Sequence, residues 1–357
     1  MKKVILARSS TAALLLALLP GCMQLGPASI NRDRFDYGSA IGESWKQQAL
    51  LNIVKMRYAD SPVFVDVAQI VSGYTLQSTV SAGWGHNLGL HGPDSASLGL
   101  QGQYTDRPTI TYLPQTGQQY LRGLLTPITP ATVLFLIQSG YAADFVLSLT
   151  VESINGLTNR SAAPTRVNAG DAQFFELVQR VREVQRSGNI GMRVELDKAK
   201  KEATLLTFPR RQHSAEAQAQ SAAIARLLRL EPHLGEYRVS YGMGVGGGNE
   251  IEMATRSLVQ IMAELAETVE VPQTHLQEGS AYAAMPATPG ALPLMRVHSG
   301  STRPADAFAV ASYRGNWFWI EQNDLVSKRS FSFLQGLFNY ADTGKPENLP
   351  LVTIPAQ

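Results

Sequence analysis

The hydrophobic and polar positions of this chain follow two different periods, and together they predict a mixture of helices and strands. From Ser39 to Tyr58 the apolar residues recur at helical spacing, and Asp60-Ser61-Pro62 ends this predicted helix. Further helices are predicted over 118–140 as a pair broken at Pro127 and Pro130, and over 171–188, 214–230, 250–267 and 324–340. Strands are predicted over 145–154, 191–208 as a hairpin, 236–241, 269–271, 294–298, 308–313, 316–320 and 351–354. Because these elements mix without a steady βαβ rhythm, the predicted fold class is α+β, with mixed or antiparallel sheets and packed helices.

The strongest two-residue period predicts one long β-hairpin over about 64–113. In GYTLQSTVSAGW, one face carries Tyr74, Leu76, Val80, Ala82 and Trp84, and the other carries Thr75, Gln77, Thr79 and Ser81. After a loop rich in Gly, Asn, Asp and His, the alternation continues through Leu98, Leu100, Gly102 and Tyr104. Tyr74, Trp84 and Tyr104 are therefore candidate interaction residues.

Strands with small polar residues on one face and aliphatic or aromatic residues on the other resemble those of outer-membrane pore proteins, which are roughly ten residues long. A single hairpin cannot cross a bilayer, because the backbone groups at its edges would lack partners. Several copies of the chain would have to join their hairpins. The alternative is a hairpin that packs its apolar face on helices of its own chain.

The N-terminus has the order of features that defines an export signal. Lys2, Lys3 and Arg8 precede an apolar run over residues 11–19. This run has about half the length of a membrane-spanning helix. Residues 1–21 are therefore predicted to be a cleaved signal peptide.

The end of this signal, Leu19-Pro20-Gly21-Cys22, resembles the lipobox of bacterial lipoproteins, although Pro20 departs from the usual small or β-branched residue. The resemblance implies that Cys22 carries a diacylglycerol thioether with fatty acids such as palmitate. Met23, where an Asp would retain a lipoprotein in the inner membrane, implies the periplasmic face of the outer membrane of a Gram-negative bacterium. Under the alternative of an ordinary signal peptide, the protein would be soluble in the periplasm.

Charge and cysteine content narrow the range of functions. Residues 1–21 hold three of the 31 Lys and Arg residues and none of the 29 Asp and Glu residues, which leaves 28 against 29 and a formal charge of −1. This balance argues against nucleic acid as a partner. Cys22 is the one cysteine of the chain, so an internal disulfide is excluded. If Cys22 carries lipid, no cysteine remains for a metal site or a nucleophile.

The chain after the signal peptide divides into four predicted segments. They are a tether over 22–34, an α+β core with the long hairpin over 35–276, a linker or loop rich in Ala, Pro and Gly over 277–293, and a C-terminal ββ(β)α segment over 294–357 that can pack on the core.

The C-terminal segment is rich in aromatic residues. Trp317 and Trp319 share one face of a predicted strand, and Phe318 and Ile320 share the other, while Asp324 is placed to cap the following helix. The two tryptophans are candidate interaction residues that could stack on a ligand. The competing interpretation is a helix-on-strand core.

One glycine motif is typical of a dinucleotide site but lacks the context for it. Gly242, Gly244 and Gly247 fit G-x-G-x-x-G between a predicted strand and a predicted helix, with Glu270 on the next strand. A central parallel strand would be continuously apolar, whereas Arg238 interrupts this one. The segment is interpreted as a turn, with Asn249 as helix N-cap and Glu252 in the capping-box position. No cofactor is predicted.

Catalytic and metal-binding patterns are not recognised in the sequence. The six histidines have no compact ligand spacing, although His86 and His91 share the hairpin loop with Asp94, where a weak metal site is the alternative to plain loop polarity. There is no G-x-S-x-G motif and no complete phosphate loop. No catalytic residue and no metal ligand is predicted.

Three further segments resemble a family of uncharacterised bacterial exported proteins, and this resemblance implies no activity. They are FDYGSAIGESWKQQALLNIVKMRYADSPVFVDV, QYTDRPTITYLP and RGNWFWIEQNDLVSKRSFSFL. The sequence predicts a lipid-anchored cell-envelope protein that acts by interaction, as an assembly, scaffolding or accessory component. Its predicted partners are the membrane, other envelope proteins and copies of itself. The alternatives are a subunit of an oligomeric outer-membrane pore built from residues 64–113 and an envelope hydrolase without a recognisable motif.

Overall fold

The computed structural model describes residues 27–71, 74–85, 95–106, 108–161, 168–188, 191–196, 202–207, 215–232, 234–286 and 288–341. Contacts between residues divide the chain into two compact units. The main unit comprises Met1–Pro62 and Gly117–Gln357, and the ribbon unit comprises Val63–Thr116.

Helices and strands follow one another irregularly along the described residues, which confirms the α+β fold class. The helices are α1 (Pro27–Arg57), α2 (Gln118–Leu125), α3 (Pro130–Gln138), α4 (Ala143–Thr150), α5 (Ala172–Arg186), α6 (Ala215–Leu227), α7 (Leu258–Ala266), α8 (Gln273–Gln277) and α9 (Leu325–Ala341). The strands are β1 (Val65–Val71), β2 (Tyr74–Gly85), β3 (Ser95–Asp106), β4 (Thr109–Pro114), β5 (Val151–Ile154), β6 (Leu157–Thr158), β7 (Gly191–Leu196), β8 (Glu202–Thr207), β9 (Glu236–Tyr241), β10 (Glu250–Thr255), β11 (His298–Gly300), β12 (Ala309–Tyr313) and β13 (Asn316–Ile320).

The larger sheet of the main unit has six strands in the order β6-β5-β10-β9-β8-β7. Its neighbouring strands are antiparallel except β9 and β10, which run parallel with Arg238 opposite Glu250. Parallel neighbours ordinarily need a crossover of about a dozen residues or more, often a helix. Here the crossover consists of residues 242–249, so the glycine-rich segment itself leads from the end of β9 to the start of β10.

The core of the main unit lies between this sheet and the helices that cover it. Helix α3 packs on β7, β8, β9 and β10, and α5 packs against α4 and α6. Burying each large aliphatic side chain there stabilises the fold by roughly 1.5–3 kcal/mol. The apolar residues that meet between the helices and the sheet include Leu134, Ile137, Leu147, Leu177, Ile224, Ile251 and Met253.

A smaller antiparallel sheet, ordered β11-β13-β12, belongs to the C-terminal part of the main unit. Helix α1 packs on β12 and on α7. The Trp45 ring of α1 meets Phe331 and Phe338 of α9 edge-on, at centroid distances of 5.7 and 6.3 Å. The long N-terminal helix therefore joins the C-terminal segment to the rest of the main unit.

Asp171 and Asp324 each stand directly before a helix, and Asp324 acts as the predicted cap through its side chain. Asp324 Oδ1 accepts hydrogen bonds from the backbone N–H groups of Val326 and Ser327, at 3.1 and 3.0 Å, at the start of α9. Asp171 precedes α5, but its carboxylate accepts instead from the backbone N–H and the hydroxyl of Thr158, at 2.7 and 2.8 Å. Asp171 therefore joins α5 to β6.

The prediction of a single strand over 145–154 was wrong in its first part. Helix α4 ends at Thr150, and β5 begins at Val151. Every residue of α4 except Asp144 is buried, so the apolar run shows neither the helical period nor the strand period. Periodicity alone cannot assign a short run of this kind.

The prediction of a helix over 250–267 was also wrong in its first part. Glu250–Thr255 forms β10, and α7 follows it behind a different capping box from the predicted one. Ser257 N donates to Gln260 Oε1 at 2.8 Å, and Gln260 N donates to Ser257 Oγ at 3.4 Å. Asn249 and Glu252 do not form the predicted cap, because Glu252 lies within the strand.

Two short strands differ from their predictions. The strand predicted over 294–298 is found at His298–Gly300, and that over 269–271 is reduced to one bridge between Val269 and Val297. Pairing with distant residues decides where such short elements form, and a local pattern does not contain that information. The strand predicted over 351–354 and the first part of the predicted tether, residues 22–26, lie outside the described residues, while α1 begins at Pro27.

The ribbon unit consists of two antiparallel strand pairs that follow one another, β1 with β4 and β2 with β3, which confirms the long hairpin. β1 pairs with β4 up to Val71 opposite Thr109, and β2 pairs with β3 from Tyr74 opposite Asp106. The residue numbers add to 180 for the pair Val71 and Thr109 and also for the pair Tyr74 and Asp106. The register is therefore the same where β1 and β4 end and where β2 and β3 begin. One irregularity lies in β1, between Val67 and Gln69.

Candidate functional site

The two faces of the ribbon formed by β2 and β3 differ in chemistry, and one of them, the polar face, has no charged residue. It carries Thr75, Gln77, Thr79, Ser81, Gly83 and Gly85, opposite Thr105, Gln103, Gln101, Gly99, Ser97 and Ser95. Among those residues whose side chains are described, all are exposed except the half-buried Thr105. This surface can offer hydroxyl and amide groups to water or to a solute.

The register places the predicted aromatic residues on the other face, the apolar face. It carries Tyr74, Leu76, Ser78, Val80, Ala82 and Trp84, opposite Asp106, Tyr104, Gly102, Leu100, Leu98 and Ala96. Tyr74, Trp84 and Tyr104 therefore share a face without forming one cluster. Tyr74 and Tyr104 lie near one end of the paired strands, and Trp84 lies near the other.

Within the polar face, serine hydroxyls occupy the space beside two glycines. A Cβ atom added at Gly83 would lie 2.6 Å from Ser97 Oγ, and one added at Gly99 would lie 2.5 Å from Ser81 Oγ. Ser81 Oγ also donates a hydrogen bond to the Gly99 carbonyl oxygen at 3.4 Å. We call these four residues the serine–glycine level. The larger side chains of the polar face lie toward its other end, at Gln77, Thr79, Gln101 and Gln103, which we call the glutamine level.

Trp317 and Trp319 are neighbours on one face of β13, as the alternation predicts, and both are half-buried. The Arg303 guanidinium lies 5.3 Å from the centre of the Trp317 ring. His298 stacks on Trp319 with a centroid distance of 5.7 Å and an interplanar angle of 28°. Each tryptophan is thus partly covered by a side chain of its own unit, so the pair is a less open stacking surface than the sequence suggests.

Tyr58, the residue directly after α1, belongs to a buried polar and aromatic group that the sequence pattern does not reveal. Its hydroxyl lies 2.8 Å from His275 Nδ1, across 217 positions of the chain. Its ring meets those of His275, Tyr313 and Phe318 edge-on. Burial raises the pKa of Tyr58 to about 12, although the nearby positive charge of Arg314 acts in the opposite direction. This group joins α1 to the C-terminal sheet.

Arg256 is a buried cation beside a cavity of about 250 Å³. Its guanidinium donates to the carbonyl oxygens of Ser148 and Leu149, at 3.0 and 3.1 Å, and to that of Arg160. Burial lowers the pKa of Arg256, while the carboxylate of Glu264, 3.4 Å away, favours its charged form. These contacts hold the end of α4 against α7, which gives Arg256 a structural role.

The glycine motif has a packing role in the crossover between β9 and β10. Gly242, Gly244 and Gly247 are followed by a strand, so the helix N-terminus that would bind a pyrophosphate is missing. A Cβ atom added at Gly242 would lie 2.7 Å from Glu252 Oε2. The backbone therefore passes close over side chains of β10, where larger residues would collide.

Several predicted positions lie outside the described residues. They are the lipidation site Cys22 and the loop residues His86, His91 and Asp94. Within the part of the chain that the structure describes, no group of three or more His, Cys, Asp or Glu side chains could hold a metal ion.

No helix among the described residues has both the length and the apolar character that crossing a membrane requires.

Comparisons with protein-family models, with curated proteins and with solved structures found no match to this chain.

Proposed function

We propose that this chain is a lipid-anchored cell-envelope protein that assembles with further copies of itself, and that β2 and β3 of each copy contribute two strands to a pore through the outer membrane. The observation that carries the proposal is the two-faced ribbon. Its two twelve-residue strands pair without interruption, with an uncharged polar face and a mainly aliphatic and aromatic face. Strands that separate lipid from water have this alternation.

The length of the ribbon fits the thickness of an outer membrane. Tyr74 and Trp84 are ten positions apart on one strand, a distance of about 33 Å at the usual rise per residue. Tilted by about 40°, this distance covers roughly 25 Å, the height of the apolar band of outer-membrane proteins. Tyr74 and Tyr104 would then lie at one boundary of the band and Trp84 at the other, where aromatic residues are enriched.

The distribution of charge also supports insertion. Between Tyr74 and Thr105, Asp94 is the one Asp, Glu, Lys or Arg of the sequence, and it lies in the segment that joins the two strands. The next carboxylate, Asp106, is at the end of β3. A charged residue near the middle of the apolar face would cost roughly 2–4 kcal/mol in a bilayer.

The edges of the ribbon indicate that several copies act together. Within the described residues, β2 and β3 pair with each other and with no third strand. A two-stranded ribbon is at most marginally stable in water, and its unpaired N–H and C=O groups cannot enter lipid. Copies that pair edge to edge would satisfy both requirements. Because water-filled channels have about 16 strands or more, we expect about eight or more copies.

A second candidate is the scaffolding function, for which the same unpaired edges would add a strand to the sheet of another envelope protein. This function would also use the lipid anchor at Cys22, but it would not require the ribbon to enter the membrane. The apolar face distinguishes the two candidates, because it has to contact lipid in the pore and protein in the scaffold.

The test uses the lipidated full-length protein, purified in detergent and reconstituted into planar bilayers. We expect stepwise conductance from the unmodified protein. Leu100 and Gln101 are adjacent but on opposite faces, so Leu100→Lys and Gln101→Lys introduce the same charge toward lipid and toward the pore. We expect Leu100→Lys to abolish the conductance, and Gln101→Lys to keep it and shift its preference toward anions.

The mass of the detergent-extracted particle and the thermal unfolding of the main unit are the accompanying controls. Both variants lie in the ribbon unit, so the main unit should unfold as it does in the unmodified protein. Equal behaviour of the two variants would contradict an inserted, two-faced ribbon. A protein that stays monomeric and never conducts would overturn the pore and favour the scaffold.

A further inference from the structure

We infer, on the basis of the proposed pore, that its lumen takes neutral polyhydroxylated solutes, of which neutral oligosaccharides are the chemical class, and that its narrowest part is the glutamine level. The polar face of the ribbon would line this lumen. The inference follows from the chemistry of that face and from the size of the side chains along it.

The first argument is the absence of charge. Every residue of the polar face is Thr, Gln, Ser or Gly. Channels that select ions by sign do so with rings of charged side chains, Asp and Glu for cations or Arg and Lys for anions. A lumen made from copies of this face has neither, so it has no means of attracting one sign of ion or of stabilising a charged polymer.

The second argument is the position of the largest side chains on the polar face. At the serine–glycine level the hydroxyls of Ser81 and Ser97 lie over Gly99 and Gly83, so this part of the face is flat. At the glutamine level, exposed Gln77 pairs with Gln103. The neighbouring pair is Thr79 with Gln101, also exposed. In a ring of copies these side chains would reach farthest toward the axis.

The third argument is the hydrogen-bonding capacity of the glutamine level. A primary amide has two N–H donors and one carbonyl acceptor, and a hydroxyl group both donates and accepts. A sugar chain presents hydroxyl groups on all sides, so a ring of amides could replace part of the water around it without burying a charge. A charged chain would lose hydration there and gain no opposite charge in return.

The experiment measures ion selectivity and blockade of the reconstituted full-length protein. In a KCl gradient we expect a reversal potential close to zero. Added maltohexaose should reduce the conductance reversibly, and an oligogalacturonate of similar length should do so much less at the same concentration. The two probes differ mainly in charge, so their comparison isolates the electrostatic part of recognition.

Substitutions at the two levels locate the narrow part. The double variant Gln77→Ala with Gln103→Ala should raise the conductance and weaken maltohexaose blockade about tenfold, the effect of losing one or two hydrogen bonds. The matched control, Ser81→Ala with Ser97→Ala, should leave both quantities close to those of the unmodified pore.

The outcomes separate this inference from the proposed function. A pore that conducts but discriminates strongly between K⁺ and Cl⁻, or that oligogalacturonate blocks better than maltohexaose, would overturn the inference and leave the pore standing. Blockade that is weakened by the serine variant and not by the glutamine variant would contradict the position of the narrow part. Complete absence of conductance would overturn both the pore and the inference.

Discussion

At the scale of single residues, Tyr58 shows how the core of the main unit holds a polar group. The side chain is 5% exposed, and its hydroxyl is paired with His275 Nδ1. The Asn316 amide lies 3.4 Å from the other ring nitrogen of His275. A neutral phenol keeps this arrangement without bringing a charge into the core, whereas ionisation would leave a phenolate poorly solvated, which is why burial raises the pKa of Tyr58 to about 12.

This pKa predicts a loss of stability at alkaline pH. The unfolded chain should ionise Tyr58 near pH 10 and the folded chain near pH 12, so its contribution is fully present below pH 10 and is lost as the pH rises to about 12. In the unmodified protein, the free energy of unfolding should fall between pH 10 and about 12. In Tyr58→Phe this fall should be smaller by up to about 2–3 kcal/mol. Urea unfolding across this pH range measures it.

The matched control is Tyr282→Phe, which removes the same hydroxyl group from a tyrosine that is 71% exposed. If the Tyr58 and Tyr282 variants lose stability in parallel with the unmodified protein, the burial of the Tyr58 hydroxyl does not determine the pH dependence.

At the scale of elements, the crossover between β9 and β10 depends on a tightly held amide beneath it. Asn155 adopts a left-handed backbone conformation with φ of 47°, which Asn tolerates better than most residues. Its Nδ2 donates to the Leu228 carbonyl oxygen at 2.7 Å, and its Oδ1 accepts from Glu252 N at 2.7 Å. The side chain therefore cannot move aside when the loop above it becomes bulkier.

Gly246→Ala should destabilise the protein for this reason. The added Cβ atom would lie 2.5 Å from Asn155 Oδ1 and 2.8 Å from the Glu250 carbonyl oxygen, both closer than real Cβ contacts. We expect the free energy of unfolding to fall by roughly 1–3 kcal/mol in chemical denaturation. Gly123→Ala, inside α2 with open space around it, is the control and should be neutral or stabilising by up to about 1 kcal/mol. Equal stability of the two variants would show that the loop is not packed against Asn155.

Elements with one buried face could be predicted from the sequence, because burial on one side leaves a period in the residues. The strand at Asn316–Ile320 is an example, with Phe318 and Ile320 fully buried and Trp317 and Trp319 half-buried. Where both sides are buried the period disappears, as in α4, and where the chain must cross back to form a parallel pair, as before β10, the local pattern is misleading.

The candidate site follows the same rule. The alternation in GYTLQSTVSAGW was sufficient to predict the polar face of β2. That Gln101 and Gln103 belong to the same polar level as Thr79 and Gln77 could be seen only from the register, which places them opposite each other. The pairing of Tyr58 with His275 could not be predicted, since no local pattern joins residues 217 positions apart.

At the scale of the whole molecule, the proposed lipid anchor and the proposed insertion of the ribbon would be two separate means of contact with the membrane. Two acyl chains or more would hold the protein at the membrane durably, so insertion of the ribbon would not have to supply the attachment. The anchor would also confine the copies to a surface, which raises their local concentration and favours edge-to-edge pairing.

Cys22→Ser should abolish lipid attachment. Cys22 is the one cysteine of the chain, so no other thiol can account for incorporation of radiolabelled palmitate. Met23→Asp is the matched control, because it should keep the label and change the membrane in which the protein is found. Labelling that survives in Cys22→Ser would contradict the lipoprotein interpretation.

The constant register of β2 and β3 limits how these two strands can change in length during evolution. One inserted residue in either arm would exchange the two faces beyond that point, which in the proposed pore would turn glutamines toward lipid. Two residues in each arm would lengthen the ribbon and preserve both faces. The irregularity between Val67 and Gln69 lies beyond the twelve paired residues of β2 and β3, so it does not disturb them. In the proposed pore, the ribbon could therefore match a thicker or thinner membrane through changes of two residues in each arm.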